Sequence, residues 1–268
     1  MPKWLTAIRG NVPRWAVIAL GTLPVLALLA GWWWLTRGAV EDRRISPTIL
    51  PSPGEVVRSV PYLLQERELF KHALVSLERV GLGYGLALLV VLPLGILMGS
   101  LSSTRAMFTP ITTASGYIPI ATLVPLTLSW FGTGELQKVT FLALAFAIYL
   151  LPQVVNAIEQ VPDVYLKTSY TLGAGKFQII TRVLIPIALP DIWHGMRLAF
   201  GVGWTYLVLT EVVVMEKGLG YLIEISRRRG PREHIYLVIL LITLIAWGAD
   251  FLWARAGRRM FRYGERYN

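Results

Sequence analysis

QVPDVYLKTSYTLGAGKFQIITRVLIPIALP, residues 160–190, is a charged, glycine-punctuated interval wedged between two long apolar runs. Pro162 and Asp163 read as a helix start, because proline suits the first turn and a carboxylate there complements the helix dipole. Gly173 reads as a stop. Gly175 and Lys176 then restart a second short helix carrying Phe177, Ile180 and Leu184 at spacings of three and four, and Pro186 and Pro190 mark the hand-over to the next apolar segment. The pattern is helix, turn, helix, at the point where the chain meets something outside the membrane.

The apolar surroundings follow from composition. Of 268 residues, 54% are hydrophobic and only 16% charged, which a soluble domain of this size would not tolerate on its surface. Cysteine is absent, excluding a disulfide framework, a thiolate nucleophile and a cysteine metal site. His72, His194 and His234 lack ligand spacing and read as interfacial groups. The net charge of +10 finds its natural counter-charge in anionic lipid headgroups, since no aromatic-basic RNA motif or DNA-reading pattern accompanies it.

Outward from the central stretch, charge-free runs mark the spans. Trp15 to Thr36 is too long for a signal-peptide core and reads as a retained first transmembrane helix, with Trp32, Trp33 and Trp34 at its far end as an aromatic belt. Arg37 to Lys71 reads as a polar connection, its first part kept extended by Pro47, Pro51, Pro53 and Pro61. Val80 to Thr104 is the second run, with Glu78 and Arg79 at its boundary and Gly81, Gly83, Gly85, Gly95 and Gly99 for close helix contact. Ala106 to Gly134, broken by Pro110, Pro119 and Pro125, is either a pathway lining or a kinked scaffold helix, because broken helices persist at membrane depth only against protein or a cavity. Val139 to Ile158 is the fourth run and His234 to Gly248 the sixth.

The fifth segment, Asp191 to Val214, carries charge inside it. Arg197, Trp204 and Glu211 repeat every seven residues and share one helical stripe with Gly201 and Val208. Glu211 and Trp204 are candidates for the translocation pathway or its gate, or else for hydrogen bonding between helices; Arg197 reads as snorkelling to the cytoplasmic side. Beyond them, Arg227, Arg228, Arg229 and Arg232 form a basic cluster that reads first as a headgroup-binding surface and second as a mouth attracting anions. Flanking basic residues divide evenly between the two sides, so charge does not orient the chain. The acid-free N-terminus, with Lys3, Arg9 and Arg14, places that end inside.

The 160–190 stretch resembles the cytoplasmic coupling loop of the permeases of binding-protein-dependent ABC importers, whose pattern is EAA, three residues, Gly, about nine residues, then Ile-x-Leu-Pro. The corresponding positions are Lys167-Thr168-Ser169, Gly173 and Leu184-Ile185-Pro186, with Lys-Thr-Ser in place of Glu-Ala-Ala. The chain is similar to the nitrate, sulfonate, taurine and bicarbonate group, as Leu50-Pro51-Ser52-Pro53 and the run Leu189-Pro190-Asp191 to Gly203-Trp204 also suggest.

The resemblance implies an all-α integral membrane protein with six transmembrane helices, the type I ABC importer permease (MetI-like) fold. Residues 1–14 would be a cytoplasmic N-terminus, 15–36 the first transmembrane helix, 37–73 an extracytoplasmic segment and 74–258 the core permease domain with its coupling loop at 159–190. Residues 259–268 would be a cytoplasmic basic tail. The expected function is a permease subunit, not an enzyme, importing a small anion (nitrate, bicarbonate, a sulfonate or taurine) delivered by an extracytoplasmic substrate-binding protein. The location would be the bacterial inner membrane, with both termini cytoplasmic. Lys167, Thr168, Ser169, Leu172, Gly173 and Pro186 would couple it to the ATPase, and Trp204, Glu211, Pro119 and Pro125 would line the path. A second copy would complete a homodimer, since six helices with few polar groups make a meagre path. ATP and Mg would be held by a separate ATPase chain, because Gly173-Ala174-Gly175-Lys176 lacks the spacing and the hydroxyl of a phosphate loop. The alternatives are a proton-coupled secondary transporter using Glu211, or a membrane enzyme using it as acid or base, and neither finds the further acids or partner groups it needs.

Overall fold

The computed structural model describes residues 12–39, 41, 43–213 and 216–261. The basic residues Lys3 and Arg9 and the tail from residue 262 onward lie outside the described residues. All regular structure among the described residues is helical. Two compact units divide the chain: residues 1–67 with 226–237, and residues 68–225 with 238–268.

In the first unit, α1 (Arg14–Thr36) is the expected charge-free span, almost wholly exposed as a lipid-facing helix must be. The indole of Trp32 donates to the Pro51 carbonyl at 2.8 Å, and its ring lies 6.4 Å from that of Tyr236. The connection after α1 is not extended throughout. Pro53 and Pro61 instead begin two short helices, α2 (Pro53–Arg58) and α3 (Val60–Gln65), because proline's fixed φ and missing N–H cost nothing in a first turn. Ser52 caps α2 reciprocally with Glu55, and Arg43 grips the same carboxylate through two nitrogens at 3.0 and 2.8 Å. That grip holds the Glu55 carboxyl down at about 2.

The second unit is organised on α4 (Leu69–Ser100) and α7 (Glu135–Glu159). Helix α4 begins three turns before the charge-free run, taking Glu78 and Arg79 into its body. Of the five glycines that sequence placed on it, Gly83, Gly95 and Gly99 face α7. A Cβ on Gly95 would stand 2.7 Å from Val154 Cγ1, and one on Gly99 would stand 2.7 Å from Ile158 Cβ, whereas Gly81 and Gly85 face open space. The third apolar run is broken once, at Pro119, between α5 (Ser102–Gly116) and the pair formed by a 3-10 turn and α6 (Leu123–Phe131); the two arms bend by 89°. Pro110 stays inside α5, and Pro125 sits in the first turn of α6, where it breaks nothing.

After α8 (Asp163–Thr171) comes α9, one continuous helix over Lys176–Val213. The sequence reading of a separate short helix, ended by Pro186 and Pro190, is corrected here. A π turn at Ile180–Leu184 absorbs the register change, so both prolines lie within the helix. Helices α10 (Leu219–Arg229) and α11 (Glu233–Met260) follow. Among the described residues five helices are long and apolar enough to cross a membrane, and six spans result when the bent pair is counted as one. The core between α4, α7 and α9 is apolar and aromatic. Tyr84 donates to the Met196 carbonyl at 2.9 Å and meets Phe146 and Phe200 edge-on, each at 5.0 Å.

Candidate functional site

Two features of the second unit carry function: the exposed 160–190 segment at one end of α7, and a buried ion cluster at the other.

Pro162 precedes α8 in an extended conformation and Asp163 opens its first turn, as the sequence dictates. The helix ends because Gly173 takes φ +78°, a left-handed conformation that side chains with a Cβ resist. The freed carbonyls are satisfied by Leu172 N donating to Thr168 O and Ala174 N to Ser169 O, both at 3.0 Å. The amide of Gly175 donates to Gln178 Oε1 at 2.9 Å, which starts α9. No residue of α8 is buried. Leu166, Ala174 and Ile179 pack inward against the core, while Leu172 and Phe177 stand 80% and 78% exposed beside the turn. Val164, Tyr165 and Tyr170 add to that apolar surface. Lys167 and Thr168 are exposed too, Pro186 is exposed further along α9, and Ser169 turns its hydroxyl back to Tyr165 O at 2.7 Å. Beneath α8, Arg105 pairs with Glu159, and these two line a cavity of ≈ 390 Å³ with Asp163, Leu166 and Leu184. The segment is thus anchored on one side and offers a rigid apolar knob on the other.

At the opposite end of α7, Arg79 is the hub. Its Nε and Nη2 donate to the two oxygens of Glu135 at 2.7 and 2.5 Å, and its Nη1 donates to Glu211 Oε1 and to the Lys217 carbonyl, each at 2.7 Å. Ser76 donates to Glu211 and accepts from Leu219 N at 2.8 Å. Gly220 N donates to Glu211 Oε2 at 2.8 Å, and Gly218 N to His72 Nδ1 at 2.9 Å. Three successive backbone amides, those of Gly218 and of the first two residues of α10, are therefore held by side chains of α4 and α9. Lys138, fully buried, lies 3.5 Å from Glu135 and 3.7 Å from Glu216. A neighbouring uncharged chain, Gln137 to Thr127 at 2.9 Å and Thr210 to Gln137 at 3.3 Å, ties α6, α7 and α9.

The structure unites Glu211 with Arg79 rather than with Trp204. Both Glu211 and Trp204 lie inside the subunit, at 0% and 2% exposure, and the Trp204 indole N–H has no hydrogen-bond partner. Pro119 and Pro125 are exposed at and just after the bend. Arg197 is taken bidentately by Asp250 of α11 at 2.5 and 2.6 Å, a charge-assisted pair between two helices. Sequence reasoning missed the hub. The signal was the Glu78-Arg79 pair ahead of a charge-free run, and its partner was the Gly218-Leu219-Gly220 turn.

Residues 91–262 match the family model described as binding-protein-dependent transport system inner membrane component. The chain is 30% identical over 250 residues to the taurine transport system permease protein TauC of Escherichia coli, covering 91% of this chain and 87% of that one. It is 28% identical over 225 residues to a putative aliphatic sulfonates transport permease protein, SsuC, of Bacillus subtilis, with 83% and 81% covered. Among solved structures, the inward-facing MetNI methionine ABC transporter superposes with a TM-score of 0.64 at 20% identity, over 71% of this chain and 95% of that one, which concerns the fold. A crystal structure of an amino acid ABC transporter gives 0.64 at 16% identity, over 77% and 97%. With the all-helical spans and the exposed helix-turn-helix segment, these matches show that the chain belongs to the binding-protein-dependent inner membrane component family, as an ABC importer permease of the type I fold.

Proposed function

We propose that the chain forms one half of a homodimeric inner-membrane importer for a small sulfonate such as taurine. An extracytoplasmic binding protein delivers the substrate, and a separate ATPase chain holds ATP and Mg. The observation that carries the coupling is the exposed knob of Leu172 and Phe177 on a segment whose other face is anchored in the core. An exposed pair of large apolar side chains on a rigid turn suits a hydrophobic groove on a partner. The substrate class rests on the likeness to the taurine and sulfonate permeases. Closing of two ATPase subunits would draw the two knobs together, and the stiff continuation of the segment into α9 would transmit that movement to the path between the copies. On this reading the knob faces the cytoplasm, with both termini, and the Arg79 cluster lies at the extracytoplasmic end. Glu211 is ion-paired and enclosed, which leaves the proton-carrying alternative without a favouring observation.

The test is uptake of labelled taurine, methanesulfonate, nitrate and bicarbonate by cells of the source organism with and without the chain. Loss of sulfonate uptake alone supports the reading. Loss restricted to nitrate or bicarbonate, or no loss at all, contradicts it.

A further inference from the structure

Polar side chains stand exposed on one face of the membrane-spanning helix α7. Along α7 the residues Leu142 and Ala145 are buried, but the same stripe continues as Tyr149, Gln153 and Asn156, all exposed. Steps of four and three keep these three side chains within one narrow face of the helix, running about 10 Å at 1.5 Å per residue. That is roughly a third of a hydrocarbon core of about 30 Å. Across from it on α9, the hydroxyl of Tyr206 lies 3.1 Å from that of Tyr149, the two rings stacked at 6.1 Å. Two phenols carry two hydrogens and this bond uses one, so the other is left to donate outward.

Amides and phenols facing lipid would lose their hydrogen bonds to water with nothing in return, so at membrane depth such groups face a cavity or protein. The stripe turns from buried and apolar to exposed and polar at Tyr149, as the wall of a space opening toward the 160–190 end would. Its three side chains are neutral. Neutral donors hold a sulfonate's oxygens without the deep electrostatic trap a lysine or arginine would set, and conduction needs binding weak enough to leave. The carboxylate that would repel an anion, Glu211, is meanwhile closed off against Arg79.

Resting on the importer reading above, we propose that Tyr149, Gln153 and Asn156 of α7, with Tyr206 of α9, form the wetted wall of the translocation path, a ladder of neutral hydrogen-bond donors for a small oxyanion.

The chain's lack of cysteine makes the test direct. Single variants Gln153→Cys and Asn156→Cys, with Leu144→Cys on another face of α7 as control, are assembled with the ATPase in inside-out membrane vesicles. They are then exposed to a charged, water-soluble methanethiosulfonate reagent. Gln153→Cys keeps the Cβ that packs on Gly195. Modification at 153 and 156 at least tenfold faster than at 144 is expected. Tyr149→Phe with Tyr206→Phe should lower taurine uptake severalfold while ATP hydrolysis stays within twofold of wild type. Rates at 153 and 156 no faster than at 144 overturn the wetted wall. Fast labelling in a complex that transports no sulfonate leaves the wall standing and overturns the oxyanion assignment together with the substrate reading.

Discussion

Arg79 and Glu211, 132 positions apart in the chain, meet at 2.7 Å with both side chains shut away from solvent. The pair fastens α4 to α9, and through Gly220 N and the Lys217 carbonyl it fastens both to the start of α10. A buried pair is worth little against an apolar replacement of both members, but removing one member strands the other.

Arg79→Met is therefore expected to cost about 3–5 kcal/mol, leaving Glu211 buried without its cation. Glu211→Gln should cost less, because Arg79 keeps Glu135 and the glutamine still accepts from Gly220. The double variant should be more stable than the sum of the two losses predicts. Unfolding temperatures of the detergent-solubilised single and double variants check this, and strictly additive losses would contradict the coupling.

The turn itself is sensitive at Gly218, whose φ is +112° and whose added Cβ would land on the Glu211 carboxylate. At Gly220 the Cβ would stand 2.6 Å from Glu211 Cβ and 3.1 Å from the Val208 carbonyl, at an ordinary backbone angle. Alanine at either position is expected to destabilise by about 1–3 kcal/mol, more at Gly218, where backbone strain adds to the crowding. Thermal unfolding of the two variants side by side is the check.

On the α4 seam, Gly95→Ala and Gly99→Ala are expected to lower stability by about 1–3 kcal/mol through contacts with Val154 and Ile158. Gly85→Ala meets nothing within 4 Å and should be neutral or slightly stabilising, since alanine is the better helix former. Equal effects at 85 and 95 in melting experiments would refute the packing.

Glu55, on the short helix α2, predicts a pH signature. Its folded value of about 2 lies below the ordinary 4.5, held down by the hydrogen bond from Arg43. The native state thus binds its proton more weakly than the unfolded chain, so the contribution is full above the unfolded value and fades as pH falls from there toward 2. The gap in unfolding temperature between wild type and Glu55→Gln should be constant from pH 8 to 6 and shrink below about 4.5. A gap that widens on acidification would reverse the sign.

Much of this was legible in the sequence. Charge-free length alone located α1, α7 and α11, and the glycine and proline spacing of residues 160–190 located the turn at Gly173. The prolines misled where position within a helix decides their effect: Pro53 and Pro61 start helices, and Pro190 is carried inside α9. Arg79 stayed hidden because its partners, Glu135, Glu211 and the Lys217 carbonyl, are brought to it only by tertiary packing. A seven-residue repeat put Arg197, Trp204 and Glu211 on one stripe correctly, yet each answers to a different neighbour.

The most direct measurement is co-purification of the tagged chain from its native membrane in mild detergent, with bound proteins identified by mass spectrometry. Wild type is compared with Leu172→Glu and Phe177→Glu, whose side chains touch little of the subunit's own core. An ATPase subunit that accompanies wild type and is lost from both variants, with the chain itself still folded, is the predicted result. Retention of the ATPase by both variants, or its absence from wild type, would contradict the coupling role given to the 160–190 segment.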